Sequence, residues 1–227
     1  MERILYFDCF AGISGDMSIG ALVDLGLDPS AVIAEIRKLG VRGYDIEIKK
    51  ISRFSIGGTD VKVTLTGETD CVHDHGHVGD GCDHKHDHDH KHDRELDCDG
   101  HERTHGGHGH HHNDRERSLA DITHIIRSGG ISEKAKELSI AIFTEIAKAE
   151  AAVHAKRIEE VHFHAVGAID SIVDIVGTAV CIDMLKVDRI YCSPVHEGQG
   201  FVNCRHGRLP IPVPAVIKML GGSGISI

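Results

Sequence analysis

Between residues 70 and 117 this chain of 227 residues is almost free of apolar side chains, and that stretch limits where a folded core can come from. Fourteen of the twenty histidines fall between His73 and His112, interleaved with Asp and Gly. Ordering backbone costs about 1–2 kcal/mol per residue, and a segment of this composition has no apolar burial to offset it. The stretch is therefore expected to be a disordered insert, with one ordered domain assembled from residues 1–69 and 118–227. It also holds thirteen Asp/Glu against six Lys/Arg, so most of the net charge of −10 sits there. No basic stripe remains for nucleic acid or for an anionic membrane surface.

The insert still has chemistry. Clustered neutral imidazoles bind late first-row divalent ions, with affinity rising through Ni²⁺ and Cu²⁺. His84, His86, His88, His90, His110, His111 and His112 are loose loop ligands for Ni, Cu, Zn or Co on this reading. They form a store rather than a catalytic centre, because nothing fixes their geometry. The competing readings are an inert solvated linker or, for the last three, a tag remnant, against which an internal position argues.

The flanking segments have the means to fold. Hydrophobic residues make up 41% of the chain, enough for a core, and the absence of Trp makes that core aliphatic. Seven cysteines at irregular spacing, with no CxxC pair, argue against a disulfide framework and for a reducing, cytoplasmic setting. The start, MERILYFD, has no basic run ahead of an apolar stretch, and the most apolar segment, Ile175 to Ile182, is far short of a membrane span.

Periodicity predicts a mixed α/β architecture: a short sheet from strands near residues 3, 44, 61, 189 and 201, with five or six helices against it. Arg3 to Phe7 reads as a buried strand ending at Asp8. The following CFAGISGDM is a Gly-rich turn in which Ser14 or Asp16 caps a helix to Leu25. Such a turn can present backbone N–H groups to an anion, although neither GxGxxG nor GxxxxGK[ST] is present. Asp28-Pro29 opens a second helix. Tyr44 to Lys50 and Val61 to Leu65 alternate as a hairpin, with Gly57-Gly58 between them. SLAD at Ser118 is a capping-box pattern, Ser132 caps the longest helix, and His154 ends it. Arg189 to Cys192 and Phe201 to Cys204 are short strands. Pro210, Pro212 and Pro214 predict a stiff extended segment able to support a site rim.

The densest chemistry lies in VHFHAVGAIDSIVD, residues 161–174. His162 and His164 are two apart, so in an extended segment both imidazoles project to one side. Asp170 and Asp174 are four apart, so on a helix both carboxylates share a face. These four are the candidate catalytic residues, and Asp8, Ser14, Gly15, Asp16 and Arg205 are the candidate binding loop. Cys204 and His206 repeat the two-apart spacing, and a thiolate with imidazoles suits Ni, Zn or Cu. His162, His164, Cys204 and His206 are thus the candidate metal ligands, although a small buried role for Cys204 competes.

Three blocks, DCFAGISGDMSIGALVDLG (8–26), HFHAVGAIDSIVDIVG (162–177) and CRHGRLPIPVPA (204–215), with a His/Asp-rich insert after the first, resemble the LarC family of nickel insertion proteins. The resemblance implies a chelatase that inserts Ni²⁺ into pyridinium-3,5-bisthiocarboxylic acid mononucleotide, a lyase-class reaction forming one Ni–C and two Ni–S bonds. It implies CTP with Mg²⁺ or Mn²⁺, bound by a C-terminal domain beyond the part of the family this chain matches. The implied partners are the mononucleotide and that C-terminal part; homo-oligomerisation is left open. Carried over, Asp8 and Asp16 sit at the anion or metal end of the first loop, and His162, His164, Asp170 and Asp174 form the central cluster with Cys204 and His206 opposite. A neutral His is the expected base for the pyridinium C–H proton. Two departures stand out: Ala165 where the family places Glu, and Arg205, an added contact for the phosphate. The alternative is a nickel-binding chaperone or store without chemistry of its own, which would need only the insert. A hydrolase built on Asp8 has little support, since no DxD follows and Ser14 is not in GxSxG.

Overall fold

A computed structural model describes residues 2–66, 116–163, 166–204 and 206–224. The His-rich segment with its loop histidines, and also His164, Ala165 and Arg205, lie outside the described residues. The architecture is mixed α/β. Six α-helices and eight short strands are described: β1 (Ile4–Phe7), α1 (Gly15–Asp24), α2 (Pro29–Arg37), β2 (Tyr44–Arg53), β3 (Ile56–Leu65), β4 (Arg117–Ser118), α3 (Leu119–Ser128), α4 (Glu133–His154), β5 (His162–Phe163), α5 (Ile169–Leu185), β6 (Arg189–Cys192), β7 (Phe201–Cys204), β8 (Gly207–Pro210) and α6 (Pro214–Ser223).

Local sequence explains most boundaries. Asp28 caps α2 by accepting from the Ala31 N–H at 2.9 Å, with Pro29 at the first helical position. Ser118 and Asp121 form the reciprocal capping box that opens α3. Ser132 caps α4 through Ala135, and Ala155, left-handed at φ 51°, terminates it.

The strands pair two by two rather than in one sheet. Among the described residues β1 runs parallel to β6, and β2–β3, β4–β5 and β7–β8 are antiparallel ladders. The β2–β3 hairpin packs against α1. The β2–β3 hairpin is also longer than Gly57-Gly58 suggested. Those glycines lie inside β3, opposite Ile51 and Ser52, and the turn is Phe54-Ser55, both at positive φ (52° and 66°). Two left-handed residues match the twist of a two-residue hairpin, and ten cross-strand pairs hold them there although neither is glycine. The proline run likewise does not stay extended: Pro210 ends β8, and Pro214 opens α6, because a proline at the first helical turn loses no hydrogen bond.

One core joins both sides of the insert. Ile19, Leu22, Val32, Ile36 and Ile46 from the first segment pack with Ile122, Phe143, Ile172, Val173 and Val176 from the second. Glycines set the closest approaches. Gly20 on α1 lets the Thr59 carbonyl of β3 come within 2.6 Å of where a Cβ would stand. Gly177 on α5 admits Ile19 and Ile36 at 2.8 and 3.0 Å. On α5, Ile172, Val173, Val176 and Val180 face this core.

Candidate functional site at the start of two parallel helices

The parallel pairing of β1 with β6 brings the loops that leave both strands to one end of the molecule. They are stitched together there. The Cys9 N–H donates to Ser193 Oγ at 2.7 Å, Ser193 N–H to the Phe7 carbonyl at 2.9 Å, and His196 N–H to the Cys9 carbonyl at 3.1 Å. Gly12, at φ +89°, turns the first loop, and the His196 carbonyl lies 3.6 Å from its missing Cβ. Asp8 is exposed beside Cys9, whose thiol is buried; burial, then Cys192, then Asp8 push its pKa up, against a Ser193 hydrogen bond.

The loop delivers the chain to α1, which lies along α5 in the same direction. Gly15 meets Asp174 and Ile19 meets Gly177, so position advances together on both helices. Both N-termini therefore face the same end, where each contributes the partial positive charge of its free N–H groups. Carboxylates occupy these ends. Asp16 accepts from the Met17 N–H at 2.8 Å and from the Ser14 hydroxyl, and Asp170 accepts from the Ser171 N–H at 2.7 Å. Ser14 is thus the N-cap residue of α1, but its hydroxyl is used on Asp16 rather than on the backbone.

Asp174 is the third member. A Cβ on Gly15 would stand 2.4 Å from Asp174 Cβ and 2.8 Å from its Oδ2, so the glycine is what admits the carboxylate between the helices. Oδ1 is buried and has no hydrogen-bond partner. Burial first, then Asp16, then Asp170 raise its pKa from 3.8 to about 6. Buried polar atoms are nearly always satisfied, so an unpartnered carboxylate oxygen amid two more carboxylates marks a place prepared for a proton or a cation. Around this acidic corner the first loop and helix turn expose Phe10 (72%), Ile13 (48%) and Met17 (53%), an apolar rim with an aromatic ring. Composition gave no reason to single out that rim; its signal was the apolar residues interleaved with the glycines of CFAGISGDM.

The remaining candidates lie elsewhere. His162 stands on β5 opposite Ser118, exposed while Phe163 is buried, and its charge helps hold the Asp121 carboxyl low, behind the Ser118 hydrogen bonds that dominate that shift. Cys204 and Gly207 are the last pair of the β7–β8 ladder, and the Cys204 thiol donates to the Gly207 carbonyl at 3.4 Å. His206, at the hairpin tip, lies against His154, ring centres 4.9 Å apart. His154 in turn meets Glu150 at 3.3 Å, an i,i+4 pair on α4 that spacing alone could have revealed. Among the described residues no three His, Cys, Asp or Glu side chains already stand together as a metal site. A groove of about 840 Å³ lined by residues such as Ala31, Lys38, Ser132, Asp183 and Asp188 lies at the opposite end of α5 and has neither His nor Cys in its wall.

The first turns of two neighbouring helices thus gather three carboxylates, Asp16, Asp170 and Asp174, the last with its pKa raised to about 6. The family described as nickel insertion protein matches residues 5–225, and the chain belongs to that family. It is 50% identical over 223 residues to a pyridinium-3,5-bisthiocarboxylic acid mononucleotide nickel insertion protein of Acetivibrio thermocellus, covering 98% of this chain and 46% of that protein. The protein of the same name from Clostridium acetobutylicum is 53% identical over 219 residues, 96% of this chain and 49% of that one. A putative nickel insertion protein of Maridesulfovibrio salexigens is 49% identical over 221 residues, 97% and 49%. The chain thus spans about half the length of the curated relatives it matches. No solved structure matches it. No helix among the described residues is long and apolar enough to cross a membrane.

Proposed function

We propose that this chain brings Ni²⁺ and pyridinium-3,5-bisthiocarboxylic acid mononucleotide together at the α1–α5 corner, as part of the enzyme that forms the nickel-pincer nucleotide. The observation that carries this is the unpartnered, buried Oδ1 of Asp174 beside Asp16 and Asp170. The metal is a cation and the mononucleotide carries a pyridinium ring, so a triple carboxylate corner attracts the metal and the ring face, with the anionic thiocarboxylates and phosphate turned away from it. The exposed Phe10 ring offers a stacking surface for the aromatic cation.

Insertion makes two Ni–S bonds and one Ni–C bond and releases the proton that the ring carbon carried. Asp174 takes that proton on this reading. With a pKa of about 6 it is ionised at neutral pH yet basic enough to accept a proton, which an ordinary carboxylate near 4 is not. His162, one of the two histidines expected to supply the base, lies opposite Ser118 near Asp121 and takes no part in the proton transfer on this reading. Arg205 and His164 stay assigned to phosphate and metal, and the insert of residues 70–117 to loose nickel storage. CTP with Mg²⁺ or Mn²⁺ is assigned to the part of the relatives that this chain does not cover, and the whole reaction to the lyase class in the cytoplasm.

The test supplies the chain with Ni²⁺, the mononucleotide, CTP and the remaining part of the enzyme, and follows product by mass. Asp174→Asn and Asp16→Asn are each expected to remove most product formation while nickel uptake by the insert persists. Unchanged product from both would favour the storage reading.

A further inference from the structure

A second group of metal-binding side chains lies away from the acidic corner, and it goes beyond the reading above. We infer that Glu150 and His154 of α4, with His206 at the tip of the β7–β8 hairpin, form a binding site for a late first-row divalent ion such as Ni²⁺. Two distances carry the inference. An imidazole nitrogen lies about 2.0–2.1 Å from a bound ion, which puts each ring centre about 3.2 Å from it; two rings at 90–110° around the ion then have centres about 4.5–5.2 Å apart. The His154 and His206 centres are 4.9 Å apart. A nitrogen and a carboxylate oxygen on one ion stand about 2.9–3.4 Å apart by the same geometry. His154 Nε2 and Glu150 Oε2 are 3.3 Å apart.

The surroundings favour a cation. His154 is the last residue of α4, where the unpaired carbonyls of a 22-residue helix give a negative end. Glu150 and His154 are each about 30% exposed, so an ion there is reachable from water but partly shielded from it. Two imidazoles and a carboxylate suit Ni, Cu, Zn or Co and are a poor set for Mg or Ca, which take oxygen ligands. Among the described residues no three such side chains already form a complete metal site, so Glu150, His154 and His206 close the last few tenths of an ångström as the ion binds.

Position gives the site a role. Ser132 at the start of α4 bonds Asp183 near the end of α5 at 2.6 Å, and Phe143 packs on Phe163 just ahead of α5, so the two helices run antiparallel. The end of α4 therefore points toward the end of the molecule where α1 and α5 begin. The site holds nickel toward the end of the ordered residues at which the acidic corner lies, a point from which the ion can pass to those carboxylates.

The histidines of the insert would obscure a bulk titration, so the test reads His154 and His206 individually. The full chain is treated with diethyl pyrocarbonate with and without Ni²⁺, and modification is mapped by peptide mass spectrometry. At free Ni²⁺ tenfold above the dissociation constant, both imidazoles are expected to react about tenfold more slowly, following the unfilled fraction of the site. His206→Asn is expected to remove protection of His154, with the circular dichroism spectrum unchanged. Absence of protection at His154 and His206 in the unmodified sequence overturns the inference. So does protection of His154 that survives His206→Asn, or equal protection by Mg²⁺.

Discussion

Replacing Asp174 by Asn should make the protein more stable and less active, with an effect that depends on pH in a defined direction. The folded-state pKa of Asp174 is about 6, against 3.8 for an ordinary Asp. The folded chain therefore holds the proton more tightly than the unfolded chain does. The stabilisation from that proton is complete below about pH 4 and is lost as pH rises through 6. About two pH units at 1.36 kcal/mol each set an upper bound near 3 kcal/mol. The carboxyl is only half-buried, and screening by water reduces the figure to about 1–2 kcal/mol. Asn has nearly the same shape and no charge, so its folding free energy should stay flat over this range. In urea denaturation followed by circular dichroism, Asp174→Asn should exceed the parent by about 1–2 kcal/mol at pH 8, and the two should converge near pH 4. A variant no more stable than the parent at pH 8, or a gap that fails to narrow as pH falls, would refute the assignment of a strained, proton-ready carboxylate.

Three further outcomes are expected from the same denaturation measurement. Gly15→Ala places a methyl 2.4 Å from Asp174 Cβ, and should cost about 1–3 kcal/mol by overpacking, with Asp174→Gly in the same chain, which removes that Cβ, restoring part of it. Phe54→Asn with Ser55→Gly puts residues that favour positive φ into the hairpin turn, and should raise stability by about 1 kcal/mol. Tyr44 carries a buried hydroxyl with no partner, so Tyr44→Phe should be neutral or stabilising by about 1 kcal/mol, where loss of a made hydrogen bond would destabilise.

Much of the fold could be read from residues that act on their own neighbours. Asp28-Pro29, the Ser118 capping box and the Ser132 cap each declared a helix start, because a cap satisfies N–H groups only two or three residues away. Alternation over Tyr44 to Ile48 declared a strand. The places that were not legible depend on partners distant in sequence. Gly57-Gly58 looked like a turn and proved to be paired strand, since the ladder rather than the glycines sets where a hairpin reverses. That the strands pair two by two is likewise a matter of long-range pairing, which no local pattern encodes. The site behaves in the same way. Asp170 and Asp174 share a helix face as their spacing requires, but their link to Asp16 through Gly15 is a long-range packing fact. The resemblance set His206 opposite that cluster with Cys204, and its ring lies against His154, a contact that neither spacing nor resemblance indicated.

Nickel and the mononucleotide are proposed to meet at Asp16, Asp170 and Asp174. Calorimetric titration of the chain with Ni²⁺, in the presence and absence of pyridinium-3,5-bisthiocarboxylic acid mononucleotide, tests it most directly when repeated with all three residues changed to Asn. One Ni²⁺ is expected to bind more tightly when the mononucleotide is present, and that gain is expected to vanish in the triple variant while binding by the histidine-rich insert remains. A gain that persists without the three carboxylates would contradict it.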